Sequence, residues 1–187
     1  MASDSEMAKE ADKQEDELIE RAELLFEHQK KQYEIASEGV RRLEDKAMKT
    51  FSAISVIITI ALLVVRNWWA DIFPEKSGLS HVVCWMFLVF FLSMFFISWG
   101  FTFSAMQLQD VERPASDADS LESFYMHQKR YNTLAAYARE YARLTDVVDL
   151  VHLSKAKLIR NCFEAMHFGA WSFVFFLITL VIIKFNN

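Results

Sequence analysis

His81 and Cys84 are the residues whose types and spacing come closest to a metal site. They lie three residues apart, which places two potential ligands on one face of a helix. A zinc site needs three or four ligands, so we interpret the pair as an interfacial contact at the end of an apolar segment. The sequence has no Gly-rich phosphate loop, no HExxH, no GxSxG and no acidic pair inside an apolar segment. We therefore expect no enzymatic activity, no metal and no cofactor.

Basic residues at the borders of the apolar segments could bind an anion. Ordinarily such residues set the topology of a membrane protein and bind anionic lipid head groups. The alternative is an anionic ligand such as a nucleotide, bound between helices. The candidate residues for that ligand are Lys46, Arg139, Arg143, Lys155 and Arg160.

Hydroxyl-bearing and small residues recur at helical spacing within the apolar segments. Ser52, Ser55 and Thr59 share one helical face. They would either line a pore in an oligomer or form hydrogen bonds across helices or to their own backbone. Gly100 and Gly169 each belong to a stripe of small residues, which is typical of close helix contacts.

Three apolar segments must position these residues. They comprise residues 48–69, 81–105 and 165–184, and each reaches the roughly 20 residues that a bilayer requires. A chain of 187 residues cannot bury three such helices on every face of a soluble core. With only four Gly and two Pro, long helices are favoured over a many-stranded sheet. The predicted fold class is all-α, a three-span integral membrane protein.

The remaining segments predict a cytoplasmic helical hairpin or coiled coil. Residues 1–17 are polar, and we expect them to be disordered or frayed. Residues 18–47 predict an amphipathic helix that continues into the first span, with a seam at three-then-four spacing. The seam consists of Ile19, Ala22, Phe26, Gln29, Tyr33, Ala36, Val40, Leu43 and Ala47. Its expected partner is the helical region 106–164, with a helix from about Leu121 that tilts or breaks near Thr145–Asp149.

The distribution of Lys and Arg predicts the orientation. Nine Lys and Arg residues lie in the segment up to Lys49, two in residues 66–80, eight in residues 104–164 and one in the tail. The positive-inside rule then places the N-terminus in the cytoplasm, and the 70–80 loop and the C-terminus on the outer side of the membrane. Cys84 and Cys162 would lie near opposite faces and cannot pair. A net charge of −5 without a dominant basic block argues against direct nucleic-acid binding.

Two segments at the borders of the predicted spans carry short motifs. The first segment is LEDKAMKTFSAIS, Leu43–Ser55, in which Asp45, Lys46 and Ala47 form an acidic-Lys-Ala pattern at the start of the first span. The second is LVHLSKAKLIRNCFEA, Leu150–Ala165, in which Lys155 and Arg160 form a Lys-and-Arg pattern before the last span. With these motifs the chain resembles small bacterial membrane effectors of anti-phage defence, particularly Pycsar-type transmembrane effectors and, more loosely, SLATT-type and retron-associated membrane effectors.

The resemblance implies an oligomeric inner-membrane protein that permeabilises the membrane and stops the cell after infection, an abortive-infection response. Its implied trigger is a cyclic nucleotide or a partner protein of the defence system. Three spans cannot enclose a water-filled lumen, so permeation requires several copies, a homo-oligomer in the lipid bilayer. The alternative function is a constitutive membrane scaffold or accessory subunit that recruits a partner through its cytoplasmic coiled coil.

Overall fold

The computed structural model describes residues 2–74, 78–107, 114, 122 and 126–186, and these residues contain no strand. The helices with defined bounds among these residues are α1 (Ala2–Asn67), α2 (Trp69–Ile72), α3 (Leu79–Met106) and α4 (Arg130–Asn186). Three of them, α1, α3 and α4, are long and apolar enough to cross a membrane. The all-α class and the three long apolar helices are therefore confirmed.

The chain forms two compact units. Met1–Arg41 and Gln109–Leu153 make up the first, here called the two-helix unit. Arg42–Leu108 and Ser154–Asn187 make up the second, the three-helix unit. Both α1 and α4 contribute residues to each unit, and α3 belongs to the three-helix unit.

In the two-helix unit, the predicted seam of α1 is the face that packs against α4. None of its positions from Ile19 to Val40 is exposed. Phe26 makes edge contacts with Tyr137 and Tyr141 at ring-centroid distances of 6.4 and 5.7 Å, and the Tyr33 ring lies 5.6 Å from that of Tyr141. Aromatic pairs in this geometry stabilise the contact beyond the area that they bury.

The two helices of this unit run parallel, so they do not form the hairpin that the sequence suggests. Contacts advance in the same direction on both helices, from Glu15 with Lys129, through Glu23 with Arg130, to Gly39 with His152. The two helices point in the same direction because α3, which lies between them in the chain, runs in the opposite direction.

The buried residues of the three-helix unit follow the periodicity that is typical of left-handed coiled coils. These residues recur at intervals of seven, or of three and four, which average 3.5 residues. They are Ala47, Ile54 and Ala61 in α1; His81, Cys84, Leu88, Phe91, Phe95, Ser98, Thr102 and Ala105 in α3; and Ile159, Cys162, Ala165, Ser172, Phe176, Leu180 and Ile183 in α4. In this unit α3 runs antiparallel to α1 and α4, since Ala105 meets Ala47 and Ile159 at one end and Trp85 meets Ile72 at the other.

Residues 1–17 differ from the expectation of disorder, because the structure is helical from Ala2 onwards. The segment is rich in Ala, Glu, Lys and Met, which are strong helix formers. Glu15 also accepts a hydrogen bond from Lys129 at 3.1 Å, and that contact anchors the early turns of α1 to the start of α4.

The helix α4 has no break near Thr145–Asp149, where the sequence predicts a tilt or a break. Thr145 donates its hydroxyl to the Tyr141 carbonyl at 2.8 Å, so its polar group is satisfied within the helix. The helix begins at Arg130, whereas Leu121 lies outside the described residues.

The two glycines that predict close helix contacts lie in different surroundings. A Cβ at Gly169 would lie 2.7 Å from two ring carbons of Phe95, whereas a Cβ at Gly100 would meet nothing within 4 Å. Phe95 of α3 is buried, so its ring fills the space that Gly169 of α4 leaves open. Gly169 is therefore a contact between α3 and α4, and Gly100 faces open space.

Gly169→Ala is expected to be less stable than the matched variant Gly100→Ala. Both variants gain about 1 kcal/mol of helix propensity, so their difference isolates the overpacking against Phe95, about 1–3 kcal/mol. Thermal unfolding of the full-length chain in detergent, followed by far-UV circular dichroism, measures that difference. Equal melting temperatures would contradict the packing described here.

Candidate functional site: buried polar contacts of the three-helix unit

The most unusual side chain in the three-helix unit is Lys155, which is 2% exposed although it carries a formal charge. Its Nζ donates to Glu44 Oε1 of α1 at 2.6 Å. It also donates to the carbonyl oxygens of Ala105 at 3.1 Å and Gln107 at 3.0 Å, at the end of α3. An ammonium group has three N–H donors, and all three are used. We call this arrangement the Lys155 site.

The local sequence explains why a lysine is needed there. The last carbonyls of a helix have no partner within the helix and carry the negative end of its dipole. The last turn of α3 contains no basic residue, so its own side chains provide no cation. Lys155 of α4 supplies both the donors and the charge, while Glu44 balances that charge. Ala47, Ala105 and Ile159 pack together at the same end of the unit, and such apolar surroundings strengthen polar contacts.

A second polar cluster joins α3 to α4 around Cys162. Ser98 Oγ lies 3.0 Å from both the carbonyl oxygen and the Sγ of Cys162, and Thr102 Oγ1 lies 3.1 Å from that Sγ. Thr102 also donates to the Ser98 carbonyl at 2.7 Å. When each hydroxyl donates its one hydrogen to a carbonyl, the single hydrogen of the Cys162 thiol can be donated to one of the two hydroxyls or to Met166 Sδ, which lies 4.0 Å away. All three residues are buried.

Two further contacts hold the helices together away from these clusters. Ser172 of α4 donates to the Phe87 carbonyl of α3 at 2.8 Å. Trp85 Nε1 of α3 donates to the Ile72 carbonyl of α2 at 2.6 Å. Polar contacts therefore recur along α3 from its beginning to its end.

The five residues predicted to bind an anion are divided between the two units. Arg139 and Arg143 belong to the two-helix unit, where Arg139 is exposed and Arg143 pairs with Glu140 at 2.8 Å. The hydrogen bond from Arg143 lowers the pKa of the Glu140 carboxyl. The other three belong to the three-helix unit.

Those three make different contacts within the three-helix unit. Lys46 Nζ lies 5.3 Å from the centroid of the Phe163 ring, and Arg160 pairs with Glu164 at 3.8 Å on the exposed surface. Lys155 directs all its donors to protein groups, so an anion could bind it only by displacing Glu44. The contacts favour a structural role for Lys155.

The hydroxyl stripe of the first span is satisfied by its own helix. Ser52 donates to the Met48 carbonyl at 3.1 Å, Ser55 to that of Phe51 at 2.9 Å, and Thr59 to that of Ser55 at 2.9 Å. Bonds of this kind are one of the two alternatives that the sequence leaves open. Ser52 and Thr59 are exposed, so among the described residues no other helix covers these two positions of α1.

The His81 and Cys84 pair also has a local explanation. His81 Nδ1 accepts a hydrogen bond from the Gly78 backbone N–H at 3.3 Å, at the beginning of α3. Both cysteines, Cys84 and Cys162, are buried and free. Within the described ranges, no three potential ligands from His, Cys, Asp and Glu come together.

Sequence reasoning missed Glu44, Ser98 and Thr102, although each carries a signal. Glu44 follows the seam residue Leu43 and falls four residues after Val40, on the packed face of α1. Ser98 and Thr102 continue the three-then-four spacing of the buried residues of α3. A polar residue in phase with an apolar seam indicates a buried polar contact.

No protein-family model, no curated protein and no solved structure matches this chain. Its function therefore has to be inferred from its own residues and contacts.

Ser98→Ala is expected to destabilise the three-helix unit, because it removes the hydroxyl that joins α3 to Cys162. Hydrogen bonds between helices in membrane proteins contribute about 0.6 kcal/mol on average and up to about 1.7 kcal/mol. The matched control is Ser93→Ala, since Ser93 lies on the exposed face of the same helix. Unfolding of both variants in mixed micelles measures the difference, and an equal stability of the two would show that the Ser98 contact contributes nothing.

Proposed function

We propose that this chain is a signal-gated membrane effector of bacterial anti-phage defence, which oligomerises and disrupts or permeabilises the inner membrane. One observation carries the proposal. The two segments that resemble such effectors, Leu43–Ser55 and Leu150–Ala165, contribute the two charged partners of the Lys155 site, Glu44 and Lys155. The borders of the first and last apolar helices are thus joined by an ion pair in which Lys155 is buried and Glu44 is partly exposed, and this connection suits helices that must move together.

The continuity of the long helices supports a mechanical output. α1 and α4 each run without interruption from the two-helix unit into the three-helix unit. In the proposed orientation, with the N-terminus in the cytoplasm, a signal received by the two-helix unit reaches the apolar helices along a continuous backbone. The trigger, a cyclic nucleotide or a partner protein of the defence system, must bind one arrangement of the helices better than the other.

The packing of the three-helix unit supports an oligomer as the active form. Its core is filled by large side chains, among them Phe91, Phe95 and Phe176, so the described residues of one chain leave no channel along their axis. Ser52 and Thr59 of α1 lie on an exposed face. In an assembly of several copies this face would line the path for ions, since it is the polar face of the first span.

The effector proposal predicts that phage infection depolarises bacteria that express the chain. Cells carrying the full-length protein, loaded with a membrane-potential dye, are expected to stay polarised until infection and then to lose their potential. The matched control is a chain in which unrelated apolar helices replace residues 48–69, 81–105 and 165–184. The control is expected to protect no cells, because the spans themselves are proposed to act.

Two outcomes would contradict this proposal. Cells that remain polarised under infection with every phage tested would exclude permeabilisation. Full protection by the chain with replaced spans would favour the alternative, a scaffold or accessory subunit that needs its spans only as anchors.

A further inference from the structure

We propose that the Lys155 site is a latch, which holds the end of α3 against α1 and α4 and must open before the three-helix unit can rearrange. The inference rests on the proposed function for its consequence, membrane permeabilisation. The opening itself can be measured without that consequence, so the two ideas can fail separately.

The geometry of the site is that of a latch because one ammonium group holds two other helices. Lys155 of α4 reaches the carboxylate of Glu44 in α1 and the carbonyls of Ala105 and Gln107 at the end of α3. Gln107 is also the residue at which α3 ends. Removal of this one side chain therefore removes the hydrogen bonds that join the end of α3 to α4 and, through Glu44, to α1. It leaves the apolar contacts of Ala105 with Ala47 and Ile159.

The energetics of buried ion pairs suit a switch better than a permanent bond. The desolvation of two charges offsets most of their attraction, so a buried pair adds little net stability although the loss of one partner is costly. An open state in which both groups are hydrated again is then close in free energy to the closed state. The site is also asymmetric, since the Lys155 side chain is 3% exposed and that of Glu44 is 30% exposed. Competing groups can therefore reach the carboxylate first.

The chain contains its own reporter for this opening. Cys162 lies seven residues after Lys155 on α4, about 10.5 Å along the helix. Its Sγ contacts Ser98 and Thr102 in the last turns of α3, and the residue is 1% exposed. When the end of α3 moves away, these contacts separate and the thiol becomes accessible.

The test is the rate at which N-ethylmaleimide labels Cys162 in the full-length chain, in detergent and in liposomes. Cys84→Ala in every sample leaves Cys162 as the single thiol. Lys155→Met is expected to label at least about tenfold faster than the parent, equivalent to about 1.4 kcal/mol in the opening equilibrium. Lys157→Met is the matched control, because Lys157 is an exposed lysine two residues further along α4. It should label at the parent rate.

Charge reversal distinguishes the latch from a simple ion pair. The double variant Glu44→Lys with Lys155→Glu restores opposite charges but places a carboxylate against the carbonyl oxygens of Ala105 and Gln107. These oxygens need a donor, so the double variant is expected to label as fast as Lys155→Met. A return to the slow parent rate would overturn the latch and leave an ordinary salt bridge.

Two further labelling results would overturn the latch. Lys155→Met that is monodisperse and fully helical but labels at the parent rate would overturn the latch. If that variant does not fold, Glu44→Gln takes its place, since the amide keeps one acceptor and loses only the charge. It is expected to label faster than the parent, and an unchanged rate would again overturn the latch.

A membrane-potential measurement on the same variants separates the latch from the effector function. Fast labelling of Lys155→Met in cells that stay polarised would support the latch and count against permeabilisation. Parent-rate labelling of that variant, together with depolarisation of parent cells on infection, would overturn the latch and leave the effector function intact.

Discussion

Apolar surroundings require every backbone and side-chain polar group to find its partner within the protein, and this requirement organises the three-helix unit. The helices satisfy most of their own carbonyls, and Ser52, Ser55 and Thr59 bond back to the turn that precedes them. At the end of α3 the last carbonyls have no further turn of the helix to bond to. Lys155 meets that need from another helix, and Glu44 neutralises the charge it brings.

Close packing then determines where polar contacts can form. Phe95 fits into the space beside Gly169, which draws α3 and α4 together at mid-length. The buried residues follow a 3.5-residue average, so the same faces remain in contact along the whole of each helix. Ser98, Thr102 and Cys162 lie on those faces and meet for that reason.

Sequence patterns predicted the features that depend on local composition and periodicity. Apolar length alone located the three long helices, and three-then-four spacing located the packed face of α1, since both signals lie within one segment. Contacts between segments that are far apart in the sequence were harder to predict from sequence patterns. Lys155 was singled out by its position at a helix border, but its partner lies 111 residues earlier in the chain. The seam spacing places Glu44 on the packed face of α1 but does not predict which residue it contacts.

The order in which the partners of Lys155 occur along the chain has a consequence for biosynthesis. Glu44 and the end of α3 are translated first, and the lysine that satisfies both follows within the last long helix. Until α4 leaves the ribosome, a carboxylate and two carbonyls at the border of the apolar helices have no cation. The three-helix unit therefore cannot assemble helix by helix, because its assembly must await the synthesis of α4.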